Sequence, residues 1–496
     1  MAESQQDIAA LAKGGRTNIA GFALRLLARL PFLFIAGRLY GPDIVGRFAL
    51  AGVVVEFAAL VATLGLKRGL AQALTATDRP HVDVAWDAMA VAFVASMIAS
   101  AILFVFPQAM YPNSEIYGAE RFLSLIVVAV AWSDISLAAL AYRLNVKAQV
   151  TARAVIEPWT ISIAAWVFYY VSARDGLIFA YAASMAAALT ASLVPFVRSY
   201  GVPRGWKPEL RPLFALARAN IPLAGADTLE WGTRNVDRFI LGLMFTPTIV
   251  GIYYMAQQVS SLPQKLKTSF DPVLGPVITH SLKENDLPAI ARQVRQVGFW
   301  IVAAQLMLTL MGSIPGEAVM GVVDPQFVAG TAALAFLLFA EVLATPGSVS
   351  ESALVYIAWH RNLMISVAVL TFQIVLSFAL ILAMRWMGWP VNWQAAGTAV
   401  ALMVALGCGS IAKNLFLSRL LGASVNPIRW PLVWAAVAAI VVGGAFTMLP
   451  KRFEWAELLI GIPAIAATYA FVLWKWAFGQ EDRALFRKMP KAEATA

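Results

Sequence analysis

The sequence predicts an all-α polytopic membrane protein: about fourteen transmembrane helices in two pseudo-symmetric six-helix bundles plus two C-terminal helices. Three observations predict it. Of 496 residues, 60% are hydrophobic and only 13% charged, with a mean hydropathy of +0.72. A soluble domain carries roughly 25% charged residues, so a soluble globular enzyme of this size is excluded. Apolar runs of spanning length recur from end to end, and a turn sequence repeats at an offset of 205 residues.

A spanning helix takes about 20 residues. Runs of that kind lie near 17–37, 48–66, 84–106, 122–142, 156–172, 176–197 and 220–245. The second set lies near 250–278, 297–315, 330–357, 363–385, 394–417, 430–449 and 456–478. The first is not a cleavable signal peptide, because Arg25 and Arg29 interrupt it and no small-residue cleavage site follows. The fifth and sixth are separated only by the turn at 172–176. The expected division is an N-terminal bundle over 1–200, a C-terminal bundle over 201–428, a last helix pair over 429–478 and a tail over 479–496. The tail is polar and is expected to lack fixed structure.

Charge orients the bundle. With the N-terminus inside, 27 of the 38 basic residues fall on one set of loops, among them Lys67, Arg68, Arg153 and Lys413, and seven on the other. That asymmetry predicts both termini in the cytoplasm and an even helix count. The net charge of +10 then reports topology and contact with anionic lipid headgroups rather than nucleic acid.

The repeat sits at an informative place. Gly37-Arg-Leu-Tyr-Gly-Pro42-Asp-Ile44-Val45-Gly46 follows the first helix, and Gly242-Leu-Met-Phe-Thr-Pro247-Thr-Ile249-Val250-Gly251 follows the seventh. Glycine and proline suit any tight turn, but a match after helices one and seven implies two bundles of the same orientation. Parallel repeats of this kind build one class of secondary transporter, with substrate held between the halves near the midplane.

Four arginines lie inside spans: Arg25, Arg29, Arg234 and Arg238. At 1.5 Å per residue the first two are about 12 and 18 Å into their helix. Asn18, Arg25 and Arg29 fall within about 40° of helical arc, and Asp227, Glu230, Arg234, Asp237 and Arg238 within about 100°. Intramembrane charges are costly and face a cavity or a partner. The repeat relates Arg29 to Arg234, so two guanidiniums from opposing halves are expected to clamp one anionic headgroup, a pyrophosphate for preference. Arginine suits that task because its planar fork stays charged and binds phosphate oxygens bidentately. The competing reading of the seventh helix is internal pairing, Glu230 with Arg234 at i,i+4 and Asp237 with Arg238 in an interhelical network.

The acids inside or near the ends of spans are Glu56, Asp134, Glu157, Asp227, Glu230 and Glu341. Any of them could pair a cation or load and release a proton or sodium ion in a transport cycle. Glu56 is the expected counterion for the first helix and leads the coupling candidates with Asp227 and Glu230. Asp134 is expected toward the outer half of its helix. No cofactor is expected beyond a driving proton, sodium ion or membrane potential.

Other chemistries lack their residues. The lone Cys408 cannot form an intramolecular disulfide, and His81, His280 and His360 have no metal-ligand spacing. An enzyme acting on the outer face needs a substantial outer loop; the longest expected here are near 107–121 and 316–330, with neither histidine nor paired carboxylates. A drug or cation antiporter wants an acidic cavity, against which the four arginines argue.

Two stretches carry a family resemblance. The first is Asn18…Gly21…Leu24-Arg25…Gly37-Arg38-Leu39-Tyr40-Gly41-Pro42…Gly46-Arg47-Phe48…Gly65-Leu66. The second is Asp237-Arg238-Phe239-Ile240-Leu241-Gly242…Val250-Gly251-Ile252-Tyr253, followed by Ala256. Together they resemble the Wzx-type polysaccharide (O-antigen) flippases of the multidrug/oligosaccharidyl-lipid/polysaccharide exporter superfamily, over roughly residues 14–440. The resemblance implies a multi-pass protein of the bacterial inner membrane; no enzymatic activity is expected, and a bilobed monomer is the default. It would move undecaprenyl-pyrophosphate-linked oligosaccharide from the cytoplasmic to the periplasmic leaflet, alongside a polysaccharide polymerase and export machinery. It also implies a cationic central cavity, to which Arg25, Arg29 and Arg234 would correspond. Lipid II flippases and drug antiporters of the same superfamily stay open as alternatives.

Overall fold

The computed structural model describes residues 30–450 and 454–479, other than 117, 204–205, 269–277, 279, 283 and 285, together with residue 482. Among these residues every regular element is helical. Residues 30–35 and a π-helical turn, Ala36–Tyr40, end α1. There follow α2 (Gly41–Ala62), the short α3 (Leu66–Thr75), α4 (His81–Val105) and α5 (Ile126–Tyr142). Next come α6 (Val146–Val150) and α7 (Glu157–Tyr169), fused through the π-helical turn Thr151–Ile156, then α8 (Gly176–Tyr200). The second half contains α9 (Leu210–Met244), α10 (Pro247–Thr268), α11 (Leu287–Ser313), α12 (Gly316–Val323), α13 (Thr331–Ile357), α14 (Trp359–Trp386) and α15 (Val391–Leu421). The last pair is α16 (Trp430–Thr447) and α17 (Ile462–Val472), the latter flanked by π-helical turns.

Ten helices among the described residues are long and apolar enough to cross a membrane. The described part of the expected first span, residues 30–37, runs through the π-helical turn into α2, and a turn at 63–65 then leads into α3; the rest of that span lies outside the described residues. The expected fifth, seventh and eighth spans fall outside the ten. The fifth is longer than expected because residues 146–155, with Lys147 and Arg153, continue its helix toward the basic loops. The seventh, α9, is 35 residues long with a buried polar series, Asn220, Asp227, Asn235 and Asp237. Elsewhere the distribution is that of a lipid-immersed bundle: α14 buries Asn362, Gln373 and Ser377 while Met364, Val375 and Leu382 point out. Polar groups face protein and apolar ones face lipid, because hydrocarbon cannot satisfy a hydrogen bond.

Three apolar cores explain the shape. One, built on Leu66, Leu70, Met89, Ile135 and Phe196, holds the first half together near its basic loops. Another, on Ile290, Phe299, Leu354, Leu417 and Tyr469, joins the second half to α16 and α17. The third takes residues from both halves, including Val45, Tyr111, Leu241, Tyr253, Phe327 and Ala399, at the ends of their helices away from the basic loops. The halves therefore share this core at one face, and toward the basic face α9 of the second half packs on the first half through Leu213, Leu216 and Ala217.

Of the expected tail, residues 479 and 482 are described and are held in place; the others lie outside the described residues. Asp482 is buried and accepts hydrogen bonds from Arg429 Nη1 at 2.7 Å, Trp300 Nε1 at 2.9 Å and Gly479 N at 2.8 Å. One carboxylate thus draws α11, the start of α16 and the end of the last helix into a single polar knot, which the polarity of residues 479–496 did not foretell.

Candidate functional site

The repeated turns build the closed face. Pro42 and Pro247 stand in the first turns of α2 and α10, where a missing N–H costs nothing. The two helices cross there so closely that a Cβ on Gly46 would lie 1.7 Å from the Pro247 carbonyl oxygen. A Cβ on Gly251 would lie 1.8 Å from that of Pro42. Thr248 Oγ1 donates to Asp43 Oδ1 at 3.2 Å, again between equivalent positions. Flanking contacts exchange in the same sense. Arg38 Nη2, at the end of α1, donates to the Val322 carbonyl at 2.8 Å, while Asn113 Nδ2 donates to the Gly242 carbonyl, at the end of α9, at 3.0 Å. Beside them Arg47 pairs with the buried Glu120, which Arg174 also meets at 3.3 Å. Tyr111 is wholly buried there, and burial pushes its hydroxyl well above the usual phenol range.

Between the halves lies a cavity of about 620 Å3. Its walls run from Phe48, Tyr254 and Leu402, under the shared core, to Arg68, Val355 and Trp359 at the basic face, where those three are exposed. The cavity is therefore open on the basic side and shut on the other.

Arg68 reaches the cavity because of local backbone geometry. Gly65 has φ +75°, a left-handed turn that redirects the chain from α2 into α3, and a Cβ there would sit 2.5 Å from the Asn220 carbonyl of α9. α3 buries Leu66, Gly69, Leu70 and Leu74 on one face and turns Arg68 toward α9. Arg68 Nε then lies 2.6 Å from Asp227 Oδ1, and its Nη2 lies 2.5 Å from Glu230 Oε2. On the facing wall Lys413 Nζ lies 2.9 Å from Glu351 Oε2 and 3.1 Å from Ser366 Oγ, and Asn362 Nδ2 donates to the other Glu351 oxygen at 3.2 Å.

Several expectations are corrected here. Glu230 is held by Arg68 rather than by Arg234 at i,i+4, because α3 supplies a cation from outside the helix. Asp237 is fully buried and accepts from Tyr253 Oη at 2.7 Å and Gln257 Nε2 at 3.2 Å, so a phenol and an amide, not the Arg238 guanidinium, satisfy it. Arg68, Arg153 and Lys413, counted among the loops, stand on cavity walls. Their helices run past the apolar windows that defined the spans, α15 reaching Leu421. Asp134 meets Lys67 Nζ at 3.1 Å and also Arg153, so it faces the basic side rather than the outer half. The central cavity is mixed in charge rather than simply cationic: Glu56, Glu157, Glu230, Glu341 and Glu351 line it alongside Arg68, Arg234, Arg238 and Lys413.

Arg234 and Arg238 differ from the other two cations. Both line the cavity, and among the described residues no carboxylate pairs with either. Arg238 bonds Asn235 Oδ1, lies 5.7 Å from the Tyr254 ring centroid and keeps a buried Nε without a partner. Glu56 lines the same cavity; Asp227 and Glu230 are occupied as charge partners. Arg25 and Arg29 lie outside the described residues, so the expected clamp is seen from its second half alone.

A second cavity, of about 480 Å3, opens in the first half and shares Glu56, Glu157, Tyr181 and Met185 with the central one. Arg153, carried on the π-helical turn, bridges Asp134 and Glu157, the latter at 2.8 Å.

A family model described as a polysaccharide biosynthesis protein matches residues 35–313. No curated protein matches the chain. Among solved structures, the lipid II flippase MurJ in an inward closed conformation is similar with a TM-score of 0.71 at 11% identity, covering 95% of this chain and 99% of that one. An inward-facing multidrug resistance MATE family transporter of the MOP superfamily gives 0.56 at 13% identity over 84% and 94% of the two chains. A MOP superfamily transporter from Pyrococcus furiosus gives 0.53 at 14% identity over 84% and 96%. At these identities the likeness shows the fold.

Proposed function

The chain belongs to the polysaccharide biosynthesis protein family, and on that premise we propose that it is a flippase for polyprenyl-pyrophosphate-linked oligosaccharide. It carries undecaprenyl-pyrophosphate-linked repeat units from the cytoplasmic to the periplasmic leaflet of a bacterial inner membrane, its basic face being cytoplasmic. The observation that carries this reading is the pair Arg234 and Arg238, without carboxylate partners among the described residues, in a cavity open on the basic side.

The physical logic is short. A pyrophosphate and its sugars cannot cross about 30 Å of hydrocarbon, whereas the polyprenyl tail prefers it. A cleft between two bundles takes the headgroup while the tail stays in lipid. Guanidiniums compensate the phosphates, each charge-assisted hydrogen bond contributing about 1.5–3 kcal/mol. Arg68 and Lys413 are already neutralised, which leaves Arg234 and Arg238 as the groups that gain most from an arriving anion. Rocking of the halves then parts α2 from α10 and opens the far side.

The test is the lipid-linked glycan profile of cells depleted of the protein. Accumulation of an undecaprenyl-pyrophosphate oligosaccharide facing the cytoplasm supports the reading. Accumulation of the peptide-bearing peptidoglycan precursor instead assigns lipid II transport, and unchanged lipids with raised drug sensitivity assign an antiporter.

A further inference from the structure

We propose that the second cavity, inside the first half, is the subsite for the sugar rings next to the pyrophosphate. The proposal rests on the flippase reading above and names the part of the substrate that reading leaves unplaced.

Position supports it first. The two cavities meet at Glu56, Glu157, Tyr181 and Met185, which line both. Trp231 of α9 closes the second cavity from the other half. Trp231, Arg234 and Arg238 stand at i, i+3 and i+7, one face of one helix. A group bound at Arg234 therefore has its neighbour about 4.5 Å further along that face, at the indole. At about 480 Å3 the space falls within the roughly 300–1,000 Å3 of ordinary ligand pockets.

Chemistry supports it next. The walls carry Glu56, Asp134 and Glu157 against Lys67 and Arg153, with the Gln149 amide beside them. Carboxylates, an amide and cations already held by carboxylates suit the hydroxyl and amide groups of a sugar. The cations are held by Asp134 and Glu157, yet each carboxylate has about four lone-pair sites, so acceptors remain for sugar hydroxyls. Trp231 offers an apolar ring of the kind that covers the C–H face of a sugar, and it packs on the rings of Phe57 and Phe239, with centroids 5.1 and 5.8 Å away.

Structural economy does not account for the cluster. A buried ion network is often no more stabilising than apolar side chains of equal volume, and this one borders open space rather than dry packing. The π-helical turn Thr151–Ile156 carries Arg153 into it, and π-turns are rare and frequent at functional sites.

The test compares two ligands on the full-length protein in nanodiscs, read by native mass spectrometry: bare undecaprenyl pyrophosphate, and the glycan-bearing lipid that accumulates in depleted cells. Wild type binds the glycan-bearing lipid about tenfold more tightly, the difference that one or two hydrogen bonds supply. Ala138→Trp fills the cavity from α5 and brings that ratio to about one while leaving the bare lipid bound as before. Gln149→Ala, which touches no ion pair, lowers the ratio by about threefold and decides the matter if the tryptophan variant does not fold. An unchanged ratio in folded Ala138→Trp, or in Gln149→Ala where the first does not fold, overturns the subsite. Failure of wild type to bind the bare lipid overturns the flippase reading instead.

Discussion

Gly46 and Gly251 occupy equivalent positions of an internal repeat and meet the partner repeat's proline carbonyl in the same way, at 1.7 and 1.8 Å from an added Cβ. Their neighbours Asp43 and Thr248, 205 residues apart, share a hydrogen bond. A two-fold relation between the halves passes through this crossing, so the contact that shuts the far face is a self-complementary one. It is made mostly of backbone and small side chains, which lets the two helices close tightly.

Gly46→Ala is expected to shift the protein away from the inward-open state, because its methyl meets a backbone carbonyl that cannot rotate aside. Overpacking of this kind costs about 1–3 kcal/mol, enough for about a tenfold change in the ratio of states. In a C408S background, labelling of D43C by a membrane-impermeant maleimide from outside should rise; unchanged labelling counts against the crossing as the gate.

Arg234→Ala and Arg238→Ala should each stop export in cells while the protein remains folded and abundant. Loss of one charge-assisted contact weakens headgroup binding by about 10- to 100-fold. Arg234→Lys should recover part of it, since an ammonium keeps the charge but not the fork. Normal export in both alanine variants removes the arginine site.

Arg68→Ala uncovers the buried Asp227, whereas the exposed Glu230 can turn to water. The loss should be about 1 kcal/mol of stability, discounted because Arg68 is itself half exposed. Arg68→Ala with Asp227→Asn should regain most of it, a coupling measured as a double-mutant cycle in thermal unfolding. Additive losses would show that the pair contributes nothing.

Asp482→Ala breaks the knot that fastens the last helices, leaving Arg429 with its bonds to the Ala477 carbonyl and Gln296 Oε1 and its stacking over Phe299, 3.7 Å away. The expected cost is about 2 kcal/mol. Trypsin should cut after Arg429 several-fold faster in the variant, and Asp482→Asn should fall between the two. Equal rates would mean that the knot does not hold the segment.

The membrane class, the run of helices and the repeat were legible in the chain, because each is a local or periodic property of it. Twenty apolar residues need lipid wherever they sit, and a turn repeated 205 residues on already implies two like halves. The sequence also singled out Arg234 and Arg238, since a charge in the middle of an apolar run has few other places to go, and Glu56 as a counterion; all three line the central cavity. Partnership was decided by tertiary structure alone. Glu230 has Arg234 one turn away and yet binds Arg68 of α3, 162 residues earlier. Arg153 and Lys413 looked like loop cations until helices longer than their apolar windows set them on cavity walls. Ion pairing depends on which helix faces which, and that is fixed by packing between segments far apart in the chain, such as Gly65 against Asn220, which no local pattern records.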